Sequence, residues 1–145
     1  MPIRLPLDVL LKQGAVFLHH QFPLPDQAKA KFLVYLSSPL HPEPLLVVLT
    51  TTDPRRSIPF LPEARQADIL AVPPGDLDFF TSDDHTLIDL NNHWSLDKEK
   101  FKMEYDKGVI EYKGVLSRAH LDALLAKAKQ SRILQPDIKK RILGK

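Results

Sequence analysis

Between Pro25 and Thr52 the chain gathers side-chain types that handle protons and anions. Asp26 stands in a polar loop, Lys29 and Lys31 follow it, and Thr50-Thr51-Thr52 closes an apolar run; Arg55 and Arg56 come just beyond. A carboxylate accepts a proton or a hydrogen bond, a lysine or arginine neutralises an anion, and a hydroxyl does both jobs weakly. Each also has an ordinary explanation. Threonine favours strands and satisfies backbone groups at turns, and paired basic residues such as Lys29 with Lys31, Arg55 with Arg56, or Lys139-Lys140-Arg141 are common solvated surface.

Two apolar runs must position these groups. Phe32-Leu33-Val34-Tyr35-Leu36 and Leu45-Leu46-Val47-Val48-Leu49 are aliphatic and β-branched, and Ser38-Pro39-Leu40-His41-Pro42-Glu43 separates them. They read as neighbouring antiparallel strands over Lys31–Ser37 and Pro44–Thr52, a rigid support for polar groups at their ends. Further strands are expected over Ala15–Gln21, Asp68–Val72, Thr86–Leu90 and Val109–Lys113, with Leu77–Phe80 pairing briefly. Phe22–Ala30 and Asp53–Ala67 read as loops. Leu5–Lys12 reads as a helical turn or two stopped by Gly14. Ser95–Tyr105 is charged enough for a short helix.

The clearest helix runs over residues 117–130. Ser117 is its N-cap, Leu116 staples to Leu121, and Leu121, Leu124, Leu125 and Ala128 line one face. Ser131–Gln135 breaks it, and Pro136 opens a last helix over 136–143. The 145 residues read as one mainly β domain, a small, strongly bent barrel with C-terminal helices.

Composition narrows the chemistry. With 43% hydrophobic and 26% charged residues the chain is globular, and its thirteen prolines suit many short strands joined by stiff turns. No cysteine is present, so disulfide and thiolate chemistry are excluded. A net charge of +2 is too mild to announce a nucleic-acid binder by itself. Pro6, Asp8 and Lys12 spoil the N-terminal apolar patch as a signal peptide, and no run reaches the ~20 residues of a membrane span. A soluble, cytoplasmic protein is expected. Gly-rich phosphate loops, GxSxG and HExxH motifs are absent. His19, His20, His41, His85 and His93, with Asp83 and Asp84, match no zinc spacing, and adjacent His19 and His20 should point to opposite faces of a strand. No metal or other cofactor is expected. A metal-dependent hydrolase using the histidines is a third reading, which metal content would separate.

In order, several stretches resemble the MazF/PemK family of toxin ribonucleases. Gly14-Ala15-Val16-Phe17-Leu18 resembles the family's opening glycine and apolar strand. Asp26-Gln27-Ala28-Lys29-Ala30-Lys31-Phe32 resembles its Glu-Gln-Ala-x-x-Arg-Pro run. Leu33–Ser37 and Val47-Val48-Leu49-Thr50-Thr51 resemble its next two strands, and Gly114-Val115-Leu116-Ser117 with Leu121–Gln130 its closing strand and helix. The resemblance implies an SH3-like barrel that forms a homodimer, cuts single-stranded RNA without metal and is silenced by an antitoxin protein. By position it assigns catalysis to Asp26, Lys31 and Thr50. His20, a reserve base, joins Lys29, Thr51, Thr52, Arg55 and Arg56 along the RNA. Two positions depart from the pattern, since Lys31 replaces the arginine and Phe32 the proline. Those departures favour the runner-up, a module on the same barrel that grips RNA or a peptide without cutting.

Overall fold

The structure is a computed structural model that describes residues 5–25, 27–52, 61–82 and 84–144. Asp26, Arg55, Arg56 and Asp83 lie outside the described residues. Six strands are described: β1 (Ala15–Pro23), β2 (Ala28–Tyr35), β3 (Leu45–Thr51), β4 (Ile69–Val72), β5 (Thr86–Leu96) and β6 (Ile110–Val115). They form one sheet in the order β4-β5-β3-β2-β1-β6, every neighbouring pair antiparallel. Five helices accompany them: α1 (Leu7–Leu10), α2 (Glu63–Ala67), α3 (Lys98–Asp106), α4 (Arg118–Gln130) and α5 (Pro136–Leu143).

Both faces of the sheet are covered, which explains the unbroken apolar run in β3. From Leu45 to Thr50 every residue is buried, since alternate side chains enter two different cores. Val34, Leu46 and Val48 point to the side where Leu124 and Ala128 of α4 and Ile138 and Ile142 of α5 pack. Leu33, Leu45, Val47 and Leu49 point to the other side, against Leu7 and Leu10 of α1 and Phe101 and Tyr105 of α3. On that second side Phe17 is fully buried, with its ring 5.2 Å from Phe101 and 5.6 Å from Tyr112, both edge-on.

The local signals that place the helices are visible one by one. The Ser117 hydroxyl accepts the His120 N–H and caps α4, the Asp97 carboxylate accepts the Lys100 N–H and caps α3, and Pro136 begins α5. Ser131 ends α4 by turning its hydroxyl inward to the buried Asp68 carboxylate at 2.7 Å, while accepting the Leu134 N–H. Gly144 closes α5 in the left-handed region at φ 80°. Lys98 and Asp8 pair at 2.9 Å and tie α3 to α1.

Four segments differ from the sequence expectation, one of them Glu63–Ala67, which lies within an expected loop and folds as α2. The β1–β2 connection is a much longer hairpin, because β1 continues to Pro23 and β2 begins at Ala28, with an irregularity in register between His19 and Phe22. β5 runs on to Leu96 instead of stopping at Leu90. Five steps along β5, from Ile88 to His93, face only two along β3, from Thr50 to Val48. Polar Asn91 and Asn92 fall in that bulge, where Asn91 bonds the carboxylate of Asp68, so they do not end the strand.

Leu77–Phe80 is a turn and not a strand. Its loop leaves β4 at one edge of the sheet and sets Phe79 against Gly114 of β6 at the other. A Cβ at Gly114 would lie 3.0 Å from the Phe79 ring, and its φ of 150° also favours glycine. Phe80 enters the α4 side and meets Phe32 edge-on at 5.3 Å. Among the described residues no ladder joins β4 to β6.

Candidate functional site

Strand parity sorts the expected site residues onto two faces. In β2, Leu33 and Tyr35 face the α3 side, so Lys29 and Lys31 do as well. Across the ladder Lys31 pairs with His19 and Lys29 with Phe22. Directly opposed residues bring their Cβ atoms within about 4.5–5.5 Å. Both lysines therefore stand beside the His19 and Phe22 side chains on the α3 side of the sheet.

Those two side chains line a cleft of about 90 Å³ between the sheet and α3, together with Trp94, Lys100, Phe101 and Glu104. The Phe22 ring stands edge-on to Trp94 at 5.1 Å and to His19 at 5.5 Å. His19 is only 4% exposed. Its Nδ1 accepts the Gln21 N–H at 3.1 Å, and its Nε2 lies 3.3 Å from Glu104 Oε2. That pattern holds the ring as the Nε2–H tautomer donating to the carboxylate.

Burial pushes His19 below the ordinary histidine pKa of 6.5, while the charge and hydrogen bond of Glu104 act in the opposite direction. The unfolded chain then takes up the proton first as pH falls. The stability linked to this group is complete above about pH 6.5 and is lost as pH drops from there through the lower folded-state pKa. His93, lowered by burial and by Arg141, acts in the same sense. The melting temperature should therefore be lower at about pH 5.5 than at about pH 7.5, and His19→Gln should flatten that difference when both proteins are followed by circular dichroism. An unchanged slope in the variant would remove His19 from the acid response.

Thr50 lies elsewhere. It is 4% exposed, pairs with Ile88, and has the parity of Leu46 and Val48 on the α4 side. Thr51 has the parity of Leu49, and extending the Leu33–Leu49 register by two residues sets it level with Lys31 on the α3 side. Thr52 is exposed just past the end of β3. His20 points away from His19, as their adjacency in a strand requires. Its Nε2 is 2.7 Å from Glu111 Oε1, and Lys113 Nζ is 3.0 Å from Glu111 Oε2. His20 and Lys113 together hold Glu111 below the usual carboxylate range. The structure thus brings Lys29, Lys31 and Thr51 to one face and leaves Thr50 and His20 on the other. Phe32, where the resembled family has proline, is half-buried on that other face against Phe80.

Glu104, Trp94 and Lys100 were not singled out from sequence. Residues far along the chain from Lys31 supply them, and the only local hint was Phe101 and Tyr105 at i,i+4, which shows that α3 lays one face on the sheet. Among the described residues no group of three or more His, Cys, Asp or Glu side chains converges as a metal site would need. No helix among them is long and apolar enough to cross a membrane. Compared with models of protein families and with curated proteins, the chain matches none.

Proposed function

We propose that this protein binds single-stranded RNA along the α3 side of the sheet and cuts it without metal, as a toxin-like endoribonuclease of MazF/PemK type on an SH3-like barrel. One observation carries the reading: Lys29 and Lys31 stand in register with Phe22 and His19, which line a cleft together with Trp94 and Phe101. Cations in a row beside aromatic rings are what single strands require, the former for phosphates and the latter for bases. Lys31 is the phosphate-binding cation, Lys29 holds the neighbouring phosphate, and the hydroxyl nearest Lys31 in register is that of Thr51. Asp26, Arg55 and Arg56 enter from sequence alone, as base and flanking cations.

The chemistry needs no group beyond the chain and its substrate. The ribose 2′-oxygen loses its proton to a base, attacks phosphorus and forms a P–O bond, giving a 2′,3′-cyclic phosphate. The bond to the 5′-oxygen breaks, and that oxygen takes a proton from an acid and leaves as a hydroxyl. Lys31 stabilises the charge that accumulates on the phosphoryl oxygens and can supply the proton. The reading includes an antitoxin protein as regulator, a homodimer and a cytoplasmic setting.

The second reading is the module that binds without cutting. Both ring nitrogens of His19, the imidazole in register with Lys31, are engaged, by the Gln21 amide and by Glu104, and His20 points to the other face, where its Nε2 meets Glu111, so His19 offers no idle nitrogen as base. Long single-stranded RNA incubated with purified protein in excess chelator decides between the two. The expected result is discrete fragments ending in 2′,3′-cyclic phosphate. Intact RNA that still binds the folded protein would establish the module, and cutting that chelator stops would refute the metal-free chemistry.

A further inference from the structure

The geometry points to the cleft under α3 as a slot for one nucleobase, guanine, in the bound RNA. The inference rests on the RNA reading above and adds the base that the site selects. The space of about 90 Å³ is several times the ~10–15 Å³ that one water needs, and its walls are the rings of Phe22, Trp94 and Phe101. A flat aromatic guest suits such walls, and Lys29 and Lys31 just outside stand where the phosphates flanking it would run.

The polar groups choose among the bases. Glu104 lines the cleft with a side chain 26% exposed, and the Nε2 of the buried His19 lies 3.3 Å from its Oε2. One bond from His19 leaves the carboxylate able to accept more, since it has about four lone-pair sites. Guanine alone presents two adjacent donors, N1–H and N2–H₂, that a single carboxylate can take together. Adenine and cytosine place a lone-pair nitrogen beside their amino group, and uracil flanks its one N–H with carbonyl oxygens, so a carboxylate meets an acceptor in each. On its far edge guanine offers O6 and N7 as acceptors. Lys100 and Asp97 also line the cleft; Asp97 is occupied as the cap of α3, accepting the Lys100 N–H at 2.9 Å, and the Lys100 ammonium supplies the matching cation. Glu104 is thus the specificity-determining residue and His19 its positioning residue.

Trp94 is the only tryptophan in the chain, so its fluorescence reports this cleft. The full chain is titrated with four pentaribouridylates carrying G, A, C or U at the centre, and separately with guanosine and adenosine monophosphates. The expected result is that the G oligonucleotide binds about tenfold or more tighter than the others. Glu104→Gln should erase that preference, so that the G strand binds no tighter than the all-uridine strand. Lys100→Ala, on an exposed helix position, should weaken the G strand without moving the melting temperature. Equal binding of all four strands, or a preference that survives Glu104→Gln, would overturn the guanine slot while the RNA reading stands. Binding of none of the strands would overturn both. A response to guanosine monophosphate alone would make the cleft a free-nucleotide site and overturn its assignment to RNA.

Discussion

Lys31→Ala is expected to reduce the proposed RNA cutting by at least about 10²-fold, the scale seen when one group that stabilises transition-state charge is removed. The fold should not notice. Lys31 is half-exposed, and surface changes of this kind usually fall within about 0.5 kcal/mol. RNA binding should weaken, and the slope of log affinity against log salt should fall by about one phosphate contact. Lys31→Arg is the informative companion. Its planar fork keeps the charge and grips two phosphate oxygens at once, so it should retain or raise activity. Gel analysis of fragments, with melting curves on the same preparations, reads all of these. Cutting at the wild-type rate in Lys31→Ala would remove Lys31 from the site.

Phe17→Ala should be the most destabilising single change on the α3 side. The side chain is fully buried and sits edge-on to Phe101 and Tyr112. Losing a buried phenylalanine costs about 3–5 kcal/mol, from the lost transfer energy and the cavity left behind. Set against the ~5–15 kcal/mol that holds a domain together, that is a large fraction of the total stability. The cost has a functional side, because Phe101 and Glu104 ride on the helix that Phe17 supports. Phe17→Leu fills most of the volume and should cost less than half as much. Urea titration measures both variants. A loss below about 1.5 kcal/mol for Phe17→Ala would mean that the cavity collapses or that α3 is not held by this contact.

Local chemistry made much of the molecule readable in advance. Val109–Lys113, Asp68–Val72 and the apolar centre of β3 announce themselves as strands, and Ser117 and Pro136 mark helix starts, because caps, proline and apolar periodicity act over a few residues. The misplaced boundaries all have a tertiary cause. Asn91 and Asn92 look like a strand end until the β3–β5 bulge and the Asp68 carboxylate give them a place. Phe79 and Phe80 look like a strand until the loop is seen to carry them across to Gly114 and Phe32.

The candidate site divides in the same way. Sequence by itself determined that Lys31 and the threonines lie on adjacent strands, and that His19 and His20 point apart, since a strand's period of two requires it; Lys29, expected in a loop, joins the strand only because β2 begins at Ala28. It could not determine which threonine shares a face with Lys31. That depends on the β2–β3 register, where one residue of slip exchanges Thr50 for Thr51. Nor could it bring Glu104, Trp94 and Lys100 to His19. Only the packing of α3 over β1 and β5 does that, because burying Phe101 and Tyr105 against Phe17 and Ile110 fixes which way the helix turns its remaining side chains.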